Sequence, residues 1–166
     1  GIILTRTIAD RLIKAGMTHF HISLHTTNKE MADRLANSKY PVKKVMKMCK
    51  YVAQKANLLL VPVWMPGVND QDVEDVIVFG KKIGAKVGVQ NFLEYKFGKK
   101  PVNPIPMKLF MQKIHQLEEK LGMDPNDLLK DTEYELVDRH VRKAGLKDTS
   151  KKDKLINYVM AGVIAI

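Results

Sequence analysis

Apolar segments of strand length alternate with amphipathic segments of helical period along residues 1–122, and this alternation constrains the fold most strongly. The segments 57–65 and 86–94 are apolar along most of their length, and the segment 19–25 alternates polar and apolar residues. No hairpin turn joins these segments. Strands that are buried on both faces and connected by helices form parallel sheets. The sequence therefore predicts an α/β fold with a parallel sheet.

The number of strands limits the architecture. Strand starts lie roughly 30–40 residues apart, which leaves room for one crossover helix each. Three strands and a short stub at residues 2–4 are too few to close an eight-stranded barrel. About half of a parallel (β/α) partial TIM-type barrel is therefore predicted over 1–122. Residues 123–166 are predicted to be a linker and the start of a small appended, possibly β, accessory segment.

Helical patterns fill the intervals between the predicted strands. A capping-box spacing of Thr27 and Glu30 predicts the start of one helix, and Pro41 the start of the next. A short helix is predicted over 125–130. The inner stripes predicted for the four longer helices are Ile8, Leu12 and Ala15; Val45, Met48, Cys49 and Val52; Val73, Val76, Ile77 and Gly80; and Phe110, Ile114, Leu117 and Leu121.

Composition excludes several classes of protein. The single cysteine, Cys49, excludes an internal disulfide framework and a self-contained iron–sulfur site, and its place on a helical stripe predicts a core residue. No apolar run has the length of a membrane helix, so we predict a cytoplasmic protein without a membrane partner. Because the chain starts at Gly1 and stops at Ile166 within apolar runs, we expect it to be an internal piece of a longer protein.

The formal net charge is +10, and all of the excess lies in residues 1–122, which hold 20 Lys and Arg against 10 Asp and Glu. The densest run has no acidic residue among its members. We call it the lysine face, and it consists of Lys39, Lys43, Lys44, Lys47, Lys50 and Lys55. Such a run is typical of a solvated helix face, and it is also the electrostatic pattern of an RNA-binding surface. An RNA-binding module therefore stays open as an alternative.

Functional groups in parallel α/β proteins collect at the carboxyl ends of the strands. Side chains alternate along 19–25, so Phe20, Ile22 and Leu24 are predicted to face the helices. The opposite, inner face then holds His19, His21, Ser23 and His25. Ser23 and His25 lie at the carboxyl end, either in a pocket or as satisfied core side chains.

The pair His19 and His21 has the spacing that metal-dependent hydrolase barrels use. Here the pair lies at the opposite end of its strand, so we assign no metal ligand in this chain and keep the hydrolase as an alternative. At the end of the second strand, Gly67 permits close approach of a ligand, and Asn69 or Asp70 is expected to cap the next helix. On the third strand, Gln90 and Glu94 suggest a polar lumen or a bound ligand; alternatively, Glu94 forms an ion pair with Lys96 and has no further role.

Taken in order, these segments resemble the C-terminal part of the barrel of radical S-adenosylmethionine (SAM) enzymes. The stretch from Gly1 to Thr5 is similar to a strand tail of that family. The run Ser23-Leu24-His25 resembles its Ser-Leu-His strand end, and Pro66-Gly67-Val68-Asn69-Asp70 its Pro-Gly-x-Asn-Asp loop. The run from Gln90 to Pro101 is most similar to uncharacterised archaeal proteins described as iron–sulfur oxidoreductases.

The resemblance implies that a parent protein carries a Cys-x3-Cys-x2-Cys motif outside this chain and binds a 4Fe–4S cluster together with SAM. Reduction of SAM then yields a 5′-deoxyadenosyl radical, with ferredoxin or flavodoxin as the electron donor. This chain alone, which lacks the motif, is expected to be inactive. The family pattern places Ser23 and His25 near the ribose or methionine end of SAM. It places Val63, Met65, Gly67, Val68 and Asn69 along the adenine, mainly through their backbone, and Gln90, Glu94 and Lys96 toward SAM or substrate.

Overall fold

The computed structural model describes residues 3–92 and 102–129. Within these ranges the chain forms five helices and five short strands. The helices are α1 (Arg6–Lys14), α2 (Lys29–Ala36), α3 (Val42–Ala53), α4 (Asp70–Ile83) and α5 (Met107–Lys120). The strands are β1 (His19–Ile22), β2 (Asn57–Leu60), β3 (Val63–Trp64), β4 (Lys86–Val87) and β5 (Gln90–Asn91). The first helix precedes β1, two helices lie between β1 and β2, one lies between β3 and β4, and the last follows β5.

All strand pairs are parallel, as predicted. One sheet has the order β1-β2-β4, and a second pairs β3 with β5. The partners Leu60 and Val87 differ by 27 positions, and so do Val63 and Gln90, so the second sheet continues the first in the same register. The backbone amide of Gln90 donates to the carbonyl of Pro62 at 2.9 Å, between the two sheets. The sheets are therefore two parts of one interrupted parallel sheet.

The predicted strands 57–65 and 86–94 are each interrupted. The first breaks at 61–62, because Pro62 has no amide hydrogen for the ladder. The second breaks at 88–89, and its residues from 93 onward lie outside the described part of the chain.

The main core lies between the sheet and the helices. Phe20, Ile22 and Leu24 are buried on the helix side of the sheet, as predicted. The stripe predicted for α3 is confirmed, since all four of its members are buried. On α4, Gly80 lies so close to β4 that a Cβ atom there would be 2.4 Å from Cγ2 of Val87. A side chain at position 80 would therefore separate the helix from the sheet.

Several local predictions were wrong. In α1 the buried residue is Ala9, whereas Ile8 is 40% exposed. Asn28, not Thr27, caps α2, and its side chain accepts a hydrogen bond from the amide of Met31. Ile3 lies in a turn and is 85% exposed, so no strand stub forms at residues 3–4.

The short helix predicted over 125–130 is also wrong, because residues 125–129 form turns. A buried carboxylate, Glu118, holds this segment in place. Its two oxygens accept hydrogen bonds from the amides of Asn126 and Leu128, each at 3.0 Å. The carbonyl of Leu128 in turn accepts the amide of Val89 at 3.0 Å. The residues that follow α5 are therefore hydrogen-bonded to the segment that joins β4 to β5. Among the helices of the described ranges, none combines the length and apolarity that crossing a membrane requires.

Candidate functional site

The inner face of the sheet carries the polar residues of the first strand. His19, His21 and Ser23 are exposed, and they alternate with the buried residues of the helix side. The parallel register places His21 beside Leu59. The predicted alternation of the two faces is confirmed along this strand.

His25 lies at the carboxyl end of this strand and is partly buried. The amide of Val61 donates to the carbonyl of Ile22. In a regular parallel ladder the next amide that points toward the first strand, that of Val63, would donate to the carbonyl of Leu24. Instead, Val63 N–H donates to Nδ1 of His25 at 3.1 Å. An Nδ1 atom that accepts a hydrogen bond carries no proton, so the neutral ring carries its proton on Nε2. Burial lowers the pKa of His25, which favours this neutral form.

Asn69 is fully buried next to His25, and its side chain joins the ends of two strands. Its Nδ2 donates to the carbonyl of Val63 at 3.0 Å and to the carbonyl of His25 at 3.4 Å. Its Oδ1 accepts the amide of Met65 at 2.8 Å. Asn69 occupies the N-cap position of α4, as expected, but its side chain makes no capping hydrogen bond. Its amide group is used to connect strands.

The loop between β3 and α4 is closed by its own hydrogen bonds. Gly67 has a φ of 76°, which favours glycine, and its amide donates to Oδ2 of Asp70 at 2.5 Å. Oδ1 of the same carboxylate accepts Nε1–H of Trp64 at 3.0 Å. The amides of Val68 and Asn69 both donate to the carbonyl of Met65. Asp70 therefore stabilises the loop and does not cap the helix through its side chain.

These bonds determine what the loop can offer to a ligand. The amides of Val63, Met65, Gly67, Val68 and Asn69 all donate to partners within the chain. What remains for a ligand is backbone carbonyls and apolar side chains, of which Val63 and Val68 are partly exposed and Met65 is buried. The loop therefore suits an apolar group that carries hydrogen-bond donors.

The remaining predicted site residues belong to the third strand. Gln90 is partly exposed and pairs with Val63 in the parallel register, one strand away from His25. Glu94 and Lys96 lie outside the described residues. The described part of the site thus brings His25, Val63, Asn69 and Gln90 to one end of the sheet, with Ser23 two positions before His25.

One connection at this end was missed by the sequence analysis. Thr26 is buried, and its hydroxyl donates to the carboxylate of Asp72 in the first turn of α4 and accepts the amide of Asn28. Ser and Thr commonly form a turn in which the hydroxyl accepts the amide two residues later, and the sequence Thr26-Thr27-Asn28 is a local signal for such a turn. The contact with Asp72 spans 46 positions and has no local signal. Thr26 fixes the chain directly after His25.

His19, proposed for a metal site, contacts neutral groups. Its Nδ1 lies 2.8 Å from Oγ1 of Thr18, and its Nε2 lies 3.3 Å from Nδ2 of Asn57. Within residues 3–92 and 102–129, no three His, Cys, Asp or Glu side chains cluster as metal ligands.

The lysine face lies on and around α3. Lys43, Lys44, Lys47 and Lys50 are exposed on this helix, which has no acidic residue. Lys55 differs, because its Nζ lies 2.9 Å from Oδ1 of Asp10 and 4.6 Å from the ring centre of Tyr51. The face that is available to a polyanion is therefore the helical part.

Comparison with known proteins finds similarity to a family model and to an archaeal protein. Residues 1–80, which include β1, β2, β3 and most of α4, match the family model of the radical SAM superfamily. An uncharacterized protein of Methanocaldococcus jannaschii is 28% identical over 102 residues, which cover 60% of this chain and 23% of that protein. The chain thus spans about a quarter of the length of this relative. Residues 1–80, a little under half of the chain, are thus similar to the radical SAM superfamily.

Proposed function

We propose that this chain is the C-terminal part of the partial (β/α) barrel of a radical SAM enzyme and that it contacts SAM and substrate. The observation that carries this proposal is the meeting of His25, Val63 and Asn69 at the carboxyl ends of parallel strands. The family match covers all three residues. Parallel α/β proteins place their ligands at this end of the sheet.

The described residues fit SAM. The partly exposed side chains of Val63 and Val68 supply apolar surface for the adenine, and carbonyls of the Gly67 loop accept hydrogen bonds from its exocyclic amino group. Met65, whose side chain is buried, holds this loop through its carbonyl, which accepts the amides of Val68 and Asn69. Ser23 and His25 face the ribose or methionine end, with His25 donating from Nε2. Gln90 is the register partner of Val63 on the neighbouring strand, and its side chain is proposed to face the cofactor. Asn69, whose amide group is fully used, supports this surface from behind.

The described residues do not fit an iron–sulfur cluster. Cys49 is fully buried on α3, and burial raises the pKa of its thiol to about 11, whereas metal ligation requires a thiolate. We therefore assign the three cysteine ligands of a 4Fe–4S cluster to the parent protein outside this chain.

SAM bound at such a cluster supplies one-electron chemistry that removes a hydrogen atom from the substrate. The residues of this chain bind and orient the cofactor and exclude water from it. Glu94 and Lys96 are proposed to face the substrate, and ferredoxin or flavodoxin to deliver the electron. The chain on its own is proposed to be inactive.

Two histidines on one strand provide the test. In the parent protein, reconstituted with iron and sulfide without oxygen, we expect His25→Ala to weaken SAM binding and 5′-deoxyadenosine release about tenfold, the loss of one hydrogen bond to a charged ligand. His19→Ala, at the other end of the strand, is the matched control and should leave both unchanged. Equal effects of the two variants, or loss of bound metal in His19→Ala alone, would contradict the proposal and favour the hydrolase.

An RNA substrate is a second candidate, favoured by the exposed lysines of α3. No acidic residue occurs in the sequence between Asp33 and Asp70, and α3 lies within this interval. RNA phosphates are attracted to such a surface independently of base sequence. This candidate is compatible with the first, since an RNA could be the substrate of the same enzyme.

A further inference from the structure

We infer that Asn69 is a positioning residue: by holding the carbonyls of His25 and Val63, it fixes the His25 ring with its Nε2–H as the donor presented to a ligand. The relevant contacts all lie within the described residues. The functional consequence, though not the positioning itself, rests on the proposed function above.

Asn69 has no hydrogen-bonding group left to contact a ligand directly. It is fully buried, and both hydrogens of its Nδ2 are used by the carbonyls of Val63 and His25. Its Oδ1 already accepts the amide of Met65. A ligand contact would require breaking one of these buried hydrogen bonds and would leave a buried polar group unsatisfied, which is unfavourable.

The side-chain amide of Asn69 holds both partners of the hydrogen bond between Val63 and the His25 ring. Val63 donates its N–H to the ring of His25, and the carbonyl of the same Val63 accepts from Asn69. The carbonyl of His25 itself accepts from the other hydrogen of Asn69. Loss of Asn69 therefore releases both the residue that carries the ring and the residue that donates to it.

The hydrogen bond from Val63 also determines which nitrogen of the His25 ring carries the proton. While Val63 N–H donates to Nδ1, a proton on Nδ1 would bring two donors together. The ring is therefore restricted to the neutral tautomer with hydrogen on Nε2. In that state it can donate to a ribose oxygen or a carboxylate of the cofactor.

The test uses the 166-residue chain with ¹⁵N-labelled histidine and needs no ligand. Long-range ¹H–¹⁵N spectra at a pH about one unit above the ordinary histidine pKa separate the two neutral tautomers of each ring. We expect His25 to be a single Nε2–H tautomer, with Nδ1 shifted as a hydrogen-bond acceptor. His21, exposed on the same strand, is the internal control and should show averaging between tautomers. A tautomer average at His25, or a proton on its Nδ1, would overturn the inference without any variant.

Two variants then test the role of Asn69. Asn69→Ala and Asn69→Asp both remove the donor half of the amide, and Asn69→Asp keeps an acceptor for the amide of Met65. Both should shift the His25 nitrogens to averaged positions, while the helical circular dichroism stays. Gln71→Ala, which removes an exposed side chain two positions along, should leave His25 unchanged. A His25 spectrum that stays fixed in a folded Asn69→Asp variant would contradict the positioning role.

The link to function is measured separately in the reconstituted parent protein. There, Asn69→Asp should weaken SAM binding in the same direction as His25→Ala, and combining the two substitutions should add little. If the spectra behave as expected but SAM does not bind to the wild-type parent, the proposed function fails and the positioning role stands.

Discussion

At the scale of single residues, Gly80 determines how closely α4 approaches the sheet. We expect Gly80→Ala to destabilise the chain by about 1–2 kcal/mol. The added methyl would lie 2.4 Å from Cγ2 of buried Val87, and overpacking of this kind costs about 1–3 kcal/mol. The better helix propensity of alanine offsets about 0.5–1 kcal/mol of that cost. Urea unfolding provides the measurement.

Two controls identify the cause of that loss. Val78→Ala, at a half-exposed position on the same helix, should change stability by less than about 0.5 kcal/mol. In the double variant Gly80→Ala with Val87→Ala, the new methyl occupies space left by valine, so the two effects should not add. Strict additivity would mean that the close approach at Gly80 is not the cause.

His25 gives the chain a pH dependence of known sign. Burial lowers the pKa of His25 in the folded chain below its ordinary value of 6.5, so between the two values the unfolded chain binds more protons. The stabilisation that comes from a neutral His25 is therefore fully present above pH 6.5 and is lost as the pH falls through the folded pKa. We expect the urea midpoint to fall on acidification below pH 6.5, and to fall less in His25→Gln. Parallel curves for the two proteins would exclude this contribution.

At the scale of secondary-structure elements, helices were predictable where one stripe is clearly apolar. In α3, valine, methionine and cysteine recur at helical spacing against exposed lysines, so the buried face was evident. In α1, Ile8 and Ala9 are adjacent, and the smaller residue is the buried one. Periodicity does not separate neighbouring positions, because the choice depends on the packing partner. Likewise, the hydrogen bonds of Asn69 join three segments and have no signal in the local sequence.

The segment after α5 is held to that helix by one side chain, the buried carboxylate of Glu118. We expect Glu118→Gln to destabilise the chain by about 1–3 kcal/mol, since a buried carboxylate that accepts the amides of Asn126 and Leu128 loses its charge and one acceptor oxygen. Hydrogen exchange at the amide of Leu128 should accelerate in the same variant. Glu119→Gln, exposed at the next position, is the control. An unchanged Leu128 exchange rate would show that other contacts hold this segment.

At the scale of the whole molecule, the parallel α/β organisation followed from the spacing of apolar segments, and the inner face followed from alternation along 19–25. The detailed chemistry of the site did not follow, because it depends on groups distant in sequence. Val63 N–H meets the His25 ring only once 38 positions of intervening chain have folded into a crossover. The amides of Met65 and Gly67 are likewise bound by the side chains of Asn69 and Asp70, so the loop offers carbonyls rather than amides to a ligand.

The uneven distribution of charge is also a property of the whole molecule. A prediction about RNA binding can separate direct contact of phosphates with α3 from attraction by the net positive charge. If α3 contacts RNA phosphates, the double variant Lys44→Gln with Lys47→Gln should weaken binding of a short RNA hairpin. It should also reduce the slope of log affinity against log salt by about 2, roughly one for each phosphate that the protein no longer neutralises.

The matched control is Lys108→Gln with Lys113→Gln, which removes the same charge from exposed positions on α5. Net charge falls equally in both proteins, so only direct binding of phosphates at α3 can make their slopes differ. Equal slopes, or no binding by the wild-type chain at low salt, would exclude the lysine face as an RNA surface and leave it as a solvated side of the helix.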